Sequence, residues 1–177
     1  MGGPIAQLIW KRHRSRIEGL VLCATACRFT TNERRRLSRA VSPIVNFAGR
    51  IAPRRTIRRV THQWLSDAIT DPEVRNTVLS EVGSSDAVSV GQAAAAVARF
   101  DSSRWISEVD VPTSIVLTEK DRLVPASNQR AMADRIRGAV IHTVPGDHSV
   151  CVTRPALFVP ALDDACASVA RRASEAS

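Results

Sequence analysis

Apolar positions along this chain alternate between helical spacings and short unbroken runs. From Gly2 to His13 the apolar residues Ile5, Leu8 and Ile9 share one face, and Lys11, Arg12 and Arg14 crowd the end, so this stretch reads as a helix. Glu18-Gly19 breaks it, and the run Leu20–Ala24 suits a strand covered on both faces. Residues 28–100 lose that regularity: they are arginine-rich and broken by Pro43, Pro53 and Pro72, then helical over Asp71–Val82 and Val90–Phe100, where Ala93–Ala96 favours helix. Past Trp105 the alternation resumes. Ile106 and Val109 lead to Val111-Pro112 and a strand Thr113–Thr118, followed by a polar turn at 119–122 and a helix from Ser127 to Arg137 capped by Gly138. Ala139–Val144 is the next strand, and the loop Pro145–His148 leads to a last helix, Pro155–Arg172.

This order predicts an α/β fold with right-handed crossovers and a parallel sheet of three strands flanked by helices. Residues 1–27 and 101–177 form its core, and residues 28–100 are an arginine-rich, mostly helical insert. Three strands are few for a parallel sheet, which needs both faces covered. The chain also opens inside a helix with no strand feeding it, so it reads as the C-terminal part of a larger fold.

Composition narrows the class. A length of 177 residues suits one domain, or one domain with an insertion, and 44% hydrophobic with 24% charged residues is globular rather than disordered. No apolar run approaches the ~18–20 residues of a membrane span, and no basic region followed by an apolar stretch marks a secretory signal, so the expected address is cytoplasmic. The net charge of +8 is concentrated: residues 28–59 hold ten arginines against the single acid Glu33. Two readings of that block stay open, a solvated face reflecting GC-rich coding and an electrostatic attractor for an anionic ligand, lipid headgroup or nucleic acid. Specific nucleic-acid binding is not expected, because Phe29 and Phe47 are its only aromatics and no recognition motif is present. Cys23, Cys27, Cys151 and Cys166 lack C-x-x-C spacing and read as buried free thiols rather than a metal site or disulfide framework.

The chemistry gathers at strand ends. In open parallel sheets, reactive groups sit beyond the carboxyl ends of strands. Asp121 lies three residues past the strand ending at Thr118, and His148 four past the one ending at Val144. Neighbouring parallel strands therefore bring a carboxylate and an imidazole to one sheet edge, in the arrangement that orients a general base. His13, at a basic helix end, reads as solvated, His62 and His142 as structural, and Trp10, Trp64 and Trp105 as packing anchors.

Three segments then carry a resemblance. MGGPIAQLIWKRHRSRIEGLVLCAT resembles the segment after the nucleophile in the α/β-hydrolase superfamily, where G-x-S-M-G-G opens this helix. TSIVLTEKDRLVPASNQ resembles that family's acid turn, and VPGDHSVCVTRPALF its histidine loop. The resemblance covers about 1–27 and 101–172, and residues 28–100 fall where these enzymes carry a variable lid. It implies Asp121 as the triad acid, His148 as the general base and the Met1 backbone N–H as part of the oxyanion hole. It implies a serine hydrolase acting on small ester or other acyl substrates, with no metal or organic cofactor.

The nucleophile itself is missing from the pattern. None of the 177 residues lies in a G-x-S-x-G elbow; Ser84, Ser85, Ser102 and Ser103 fall in insert or linker segments. By the resemblance the serine belongs immediately before Met1, so the chain by itself is expected to be inactive. A sheet edge lacking its neighbour leads to an expectation of a complementing N-terminal fragment or of self-association. The rival reading is a non-enzymatic remnant or interaction module whose basic lid binds a partner or anionic ligand.

Overall fold

A computed structural model describes residues 1–29, 71–84 and 87–176. The arginines from Arg34 to Arg59, with Phe47, His62 and Trp64, lie outside the described residues. In chain order the elements are α1 (Gly2–Arg12), β1 (Leu20–Cys23), α2 (Pro72–Ser84), α3 (Ala87–Arg99), β2 (Thr113–Thr118), α4 (Ala126–Ala133), β3 (Val140–Val144), α5 (Val150–Thr153) and α6 (Pro155–Ala176). The chain divides into two compact units, Met1–Cys27 with Asp101–Ser177, and Arg28–Phe100.

In the first unit the strands form a parallel sheet in the order β1-β2-β3. Leu20 to Cys23 run beside Thr113 to Val116, and Ser114 to Thr118 beside Val140 to Val144. All six residues of the central strand β2 are buried, which is why its apolar run shows no alternation. One face of the sheet packs Leu20, Leu22 and Ile115 against Trp10 of α1, Ile106, and Met132 of α4. The other packs Val116 and Val144 against Val150, Phe158 and Ala165, which brings α6 onto that side. Arg172 fastens α6 to the strand starts: its guanidinium donates to the carbonyls of Gly138 (2.9 Å) and Thr113 (3.0 Å) and to Ser114 Oγ (3.1 Å).

Four local expectations change. The buried stripe of α1 is Pro4, Gln7 and Trp10, while Ile5 and Ile9 are 53% and 44% exposed. Polar Gln7 is stable inside because its amide is satisfied: Ser102 Oγ donates to Oε1 (2.6 Å) and Nε2 donates to the Ala26 carbonyl (3.3 Å). β1 stops at Cys23 because Ala24 turns into the left-handed region with φ 46°. α4 ends at Ala133 rather than Arg137: the following residues make tighter turns, such as Ile136 N–H to Ala133 C=O (3.0 Å), which carry Ile136 into the core. Gly138, at φ 69°, closes that segment. Of the four thiols only Cys27 is buried; Cys23 is half-buried, and Cys151 and Cys166 are exposed.

Trp10 and Trp105 do anchor the core base, stacked with ring centroids 6.1 Å apart. Lys11 Nζ sits 5.5 Å from the Trp105 ring and Arg14 Cζ 4.4 Å from that of Trp10. Glu108 accepts from Lys11 (2.7 Å) and from Arg14, and these hydrogen bonds hold its carboxyl below the usual range. In the second unit, Asp71 caps α2 by accepting from the Glu73 and Val74 N–H groups, at 2.9 and 3.1 Å.

Candidate active site

The acid turn grows directly out of the sheet. Beyond Thr118, the Glu119 N–H bonds the Val144 carbonyl (3.0 Å) and the Lys120 N–H bonds that of Gly146 (2.9 Å), lacing the turn after β2 to the loop after β3. Gly146 lets this loop fold against Val150, since a Cβ there would lie 2.3 Å from Val150 Cγ2. In the same loop Asp147 Oδ1 accepts from the Ser149 N–H (3.0 Å) and Ser149 Oγ (2.7 Å), a local turn that leads into α5 and presents His148.

The two strand-end residues meet. His148 Nδ1 lies 2.8 Å from Asp121 Oδ2; the Asp121 side chain is fully enclosed, while that of His148 is 35% exposed. A carboxylate only accepts, so Nδ1 carries the proton in this bond and Nε2 is the nitrogen left to take one. Asp121 is held from every side. Its Oδ1 accepts the N–H groups of Leu123 (2.9 Å) and Val124 (2.8 Å), and its Oδ2 also accepts the Thr118 hydroxyl (2.9 Å).

Thr118 and Gln129 are the members of this cluster that sequence reading misses. Gln129 of α4 is fully buried and bonds Thr118 Oγ1 through Nε2 (2.9 Å). A lone glutamine within a helix carries no motif; its only signal is its place eight residues after the acid.

The remaining candidates lie on other segments of the chain. Met1 lies exposed just ahead of α1 and provides no side-chain cap to it. His13 is exposed at the end of α1. His142 is half-buried in β3, with its Nε2 enclosed and without a hydrogen-bond partner among the described residues. Ser102 is buried between Gln7 and the Cys27 carbonyl, part of the neck where the chain leaves and re-enters the core.

Comparison with known proteins agrees with this architecture. Residues 1–146 match the family model described as serine aminopeptidase, S33. The poly(3-hydroxyalkanoate) depolymerase of Ectopseudomonas oleovorans is 26% identical over 161 residues, 90% of this chain and 56% of that protein. Among solved structures, a thermophilic esterase from Thermogutta terrifontis superposes with a TM-score of 0.74 at 23% identity, over 95% of this chain and 62% of that one. The enol-lactonase from Burkholderia xenovorans LB400 gives 0.72 at 20% identity, over 94% and 63%. The chain thus spans less than two thirds of the length of these relatives. With the family match covering most of its residues and the sheet and its flanking helices in place, the chain belongs to the serine aminopeptidase S33 family of the α/β-hydrolase superfamily.

Proposed function

We propose that this chain carries the acid and the base of a serine-hydrolase triad and serves in the hydrolysis of small ester or other acyl substrates. The observation that supports this most is the 2.8 Å contact between His148 Nδ1 and an enclosed, fully bonded Asp121 carboxylate. In this reading His148 Nε2 takes the proton of a serine hydroxyl as the serine attacks the acyl carbonyl, and Asp121 stabilises the imidazolium formed. The same Nε2–H then protonates the leaving group, and the cycle repeats with water to release the acid. The Met1 N–H, at the start of α1, supplies one donor to the tetrahedral oxyanion. The relatives named as an esterase, an enol-lactonase and a poly(3-hydroxyalkanoate) depolymerase support an ester-type carbonyl over the amide in the family's description.

No serine of the 177 residues lies in an elbow, so the nucleophile in this reading sits on a segment outside them, directly ahead of Met1 or on a complementing N-terminal fragment. Residues 28–100 serve as the lid, a role supported by their position between β1 and β2 and their separation as a compact unit. The rival reading, a non-enzymatic interaction module, draws support from the exposed Ile5 and Ile9 on α1.

Fluorophosphonate labelling and p-nitrophenyl ester turnover test the proposal. The 177-residue chain should neither label nor turn over substrate saturably. A chain extended with a G-x-S segment and the preceding strands should do both. Stoichiometric labelling of any serine in the present chain would overturn the role given to Met1, and a folded, extended chain without activity would favour the interaction module.

A further inference from the structure

The geometry points to Gln129 as a positioning residue: it seats and polarises the Thr118 hydroxyl and thereby sets how strongly Asp121 holds the His148 proton. This inference rests on the acid–base reading above and adds to it a control on the basicity of the pair.

Gln129 is fully enclosed on α4, where an apolar side chain would cost less to bury. Every polar group of its amide is spent on the two segments that flank the acid. Oε1 accepts the Thr118 N–H (3.2 Å), and Nε2 donates to the Val124 carbonyl (2.7 Å) and to Thr118 Oγ1 (2.9 Å). The amide cannot be turned over, because that would set its NH₂ against the Thr118 N–H and its oxygen against the Val124 carbonyl.

A hydroxyl carries one proton. The amide N–H already points at Thr118 Oγ1, so the hydroxyl proton must go elsewhere, and Asp121 Oδ2 lies 2.9 Å away. That is the oxygen used by His148 Nδ1. The Thr118 hydroxyl therefore draws charge from the very atom that stabilises the imidazolium. Without it, Oδ2 would face His148 alone as a stronger acceptor, and His148 would hold its second proton to higher pH. Without Gln129 the hydroxyl still faces the acceptor-only carboxylate but loses the donor that polarises it, so it gives less to Oδ2 and the change has the same sign as loss of the hydroxyl.

NMR titration of His148 in the 177-residue chain, with labelled histidine and glutamine side chains, tests this without needing turnover. In the unaltered chain the Gln129 amide signals should move with the His148 midpoint. Thr118→Val and the near-isosteric Gln129→Met should each raise that midpoint, Thr118→Val by the larger amount. Thr118→Ser should leave it in place, and the double variant should match Thr118→Val alone. Asp147, on the His148 loop, and Glu119 and Lys120, on the turn bonded to that loop, are unchanged in every variant.

A Gln129→Met chain with an unchanged or lowered midpoint would overturn the proposal and leave Gln129 as packing alone; so would additive effects in the double variant. If Gln129→Met fails to fold, Gln129 amide signals that ignore the His148 titration in the unaltered chain overturn it equally. Asp121→Asn should lower the midpoint by removing the paired charge. If it does not, the acid–base reading itself fails, an outcome distinct from the failure of the Gln129 role.

Discussion

Gly3 lies so close to Thr25 that a Cβ on the glycine would meet the threonine Oγ1 at 2.2 Å and its Cβ at 2.4 Å, whereas a Cβ on Gly2 would have nothing within 4 Å. The first turn of α1 is thus seated on the loop after β1. Glycine normally weakens a helix, so replacement by alanine stabilises wherever space permits. Gly2→Ala should be neutral or stabilising by up to about 1 kcal/mol, and Gly3→Ala destabilising by about 1–3 kcal/mol through overpacking. Urea denaturation of the two variants, and of Gly3→Ala combined with Thr25→Gly, would check this, the last recovering most of the loss.

On the proposed acid–base reading, the Asp121–His148 pair predicts kinetics in a chain extended with a G-x-S segment. Asp121→Asn should lower kcat by roughly 10⁴, because the imidazole loses its orienting acceptor. His148→Ala should cost a similar or larger factor, and the two losses should not multiply. Near-normal kcat in Asp121→Asn would move the acid's role to another carboxylate.

Arg172 joins α6 to both β2 and the residue before β3, through Thr113, Ser114 and Gly138. Thr113 and Ser114 are fully buried, so removing the guanidinium takes a donor from each of two enclosed acceptors. Arg172→Met should destabilise the core by about 2 kcal/mol or more, and Arg172→Lys should recover little, since one ammonium cannot span the three acceptors. Thermal unfolding of both variants is the check.

The thiols should separate by reactivity. Burial, aided by Cys166 and Cys151 nearby, pushes Cys23 from 9.0 up to about 11, and burial also raises Cys27. At pH 8, iodoacetamide should modify the exposed Cys151 and Cys166 well before Cys23 and Cys27, as peptide mapping would show. The folded state keeps the Cys23 proton to higher pH than the unfolded state does. Its contribution to stability is therefore complete below pH 9.0 and lost as pH rises to about 11. Cys23→Ala should flatten the fall in melting temperature across that window.

Among the described residues β1 pairs with β2 on one edge and with no strand on the other, and Ile5 and Ile9 stand exposed on α1. Such an edge templates association, so the chain alone should self-associate in light scattering, and Ile5→Lys with Ile9→Lys should reduce it. A monodisperse monomer with strongly protected amides across Leu20–Cys23 would show the edge to be covered within the chain.

Much of the fold was legible one residue at a time. The apolar run Leu20–Ala24 marked a strand, although β1 alternates between buried and half-buried positions and it is β2 that is buried throughout. Asp121 and His148 stood out because parallel strands must deliver their trailing residues to one edge. The buried face of α1 was not legible. Spacing grouped Ile5, Leu8 and Ile9, but the neighbours that reward burial are Ser102 and the Ala26 carbonyl, which satisfy Gln7 across the fold. The end of α4 was hidden likewise, because Ile136 leaves the helix for a core that its own segment does not contain.

The sequence by itself determined the α/β alternation, the parallel sense of the strands and the delivery of a carboxylate and an imidazole to one sheet edge, since each comes from local periodicity and connection geometry. Only the tertiary structure decided that Thr118 and Gln129 stand behind Asp121, that Arg172 binds α6 to the strand starts, and that Thr25 fills the space beside Gly3. The physical reason is range. Hydrophobic period and turn chemistry act over a few neighbouring residues, whereas a buried hydrogen bond or a close packing contact joins groups far apart in the chain, and its value exists only once both have been taken out of water.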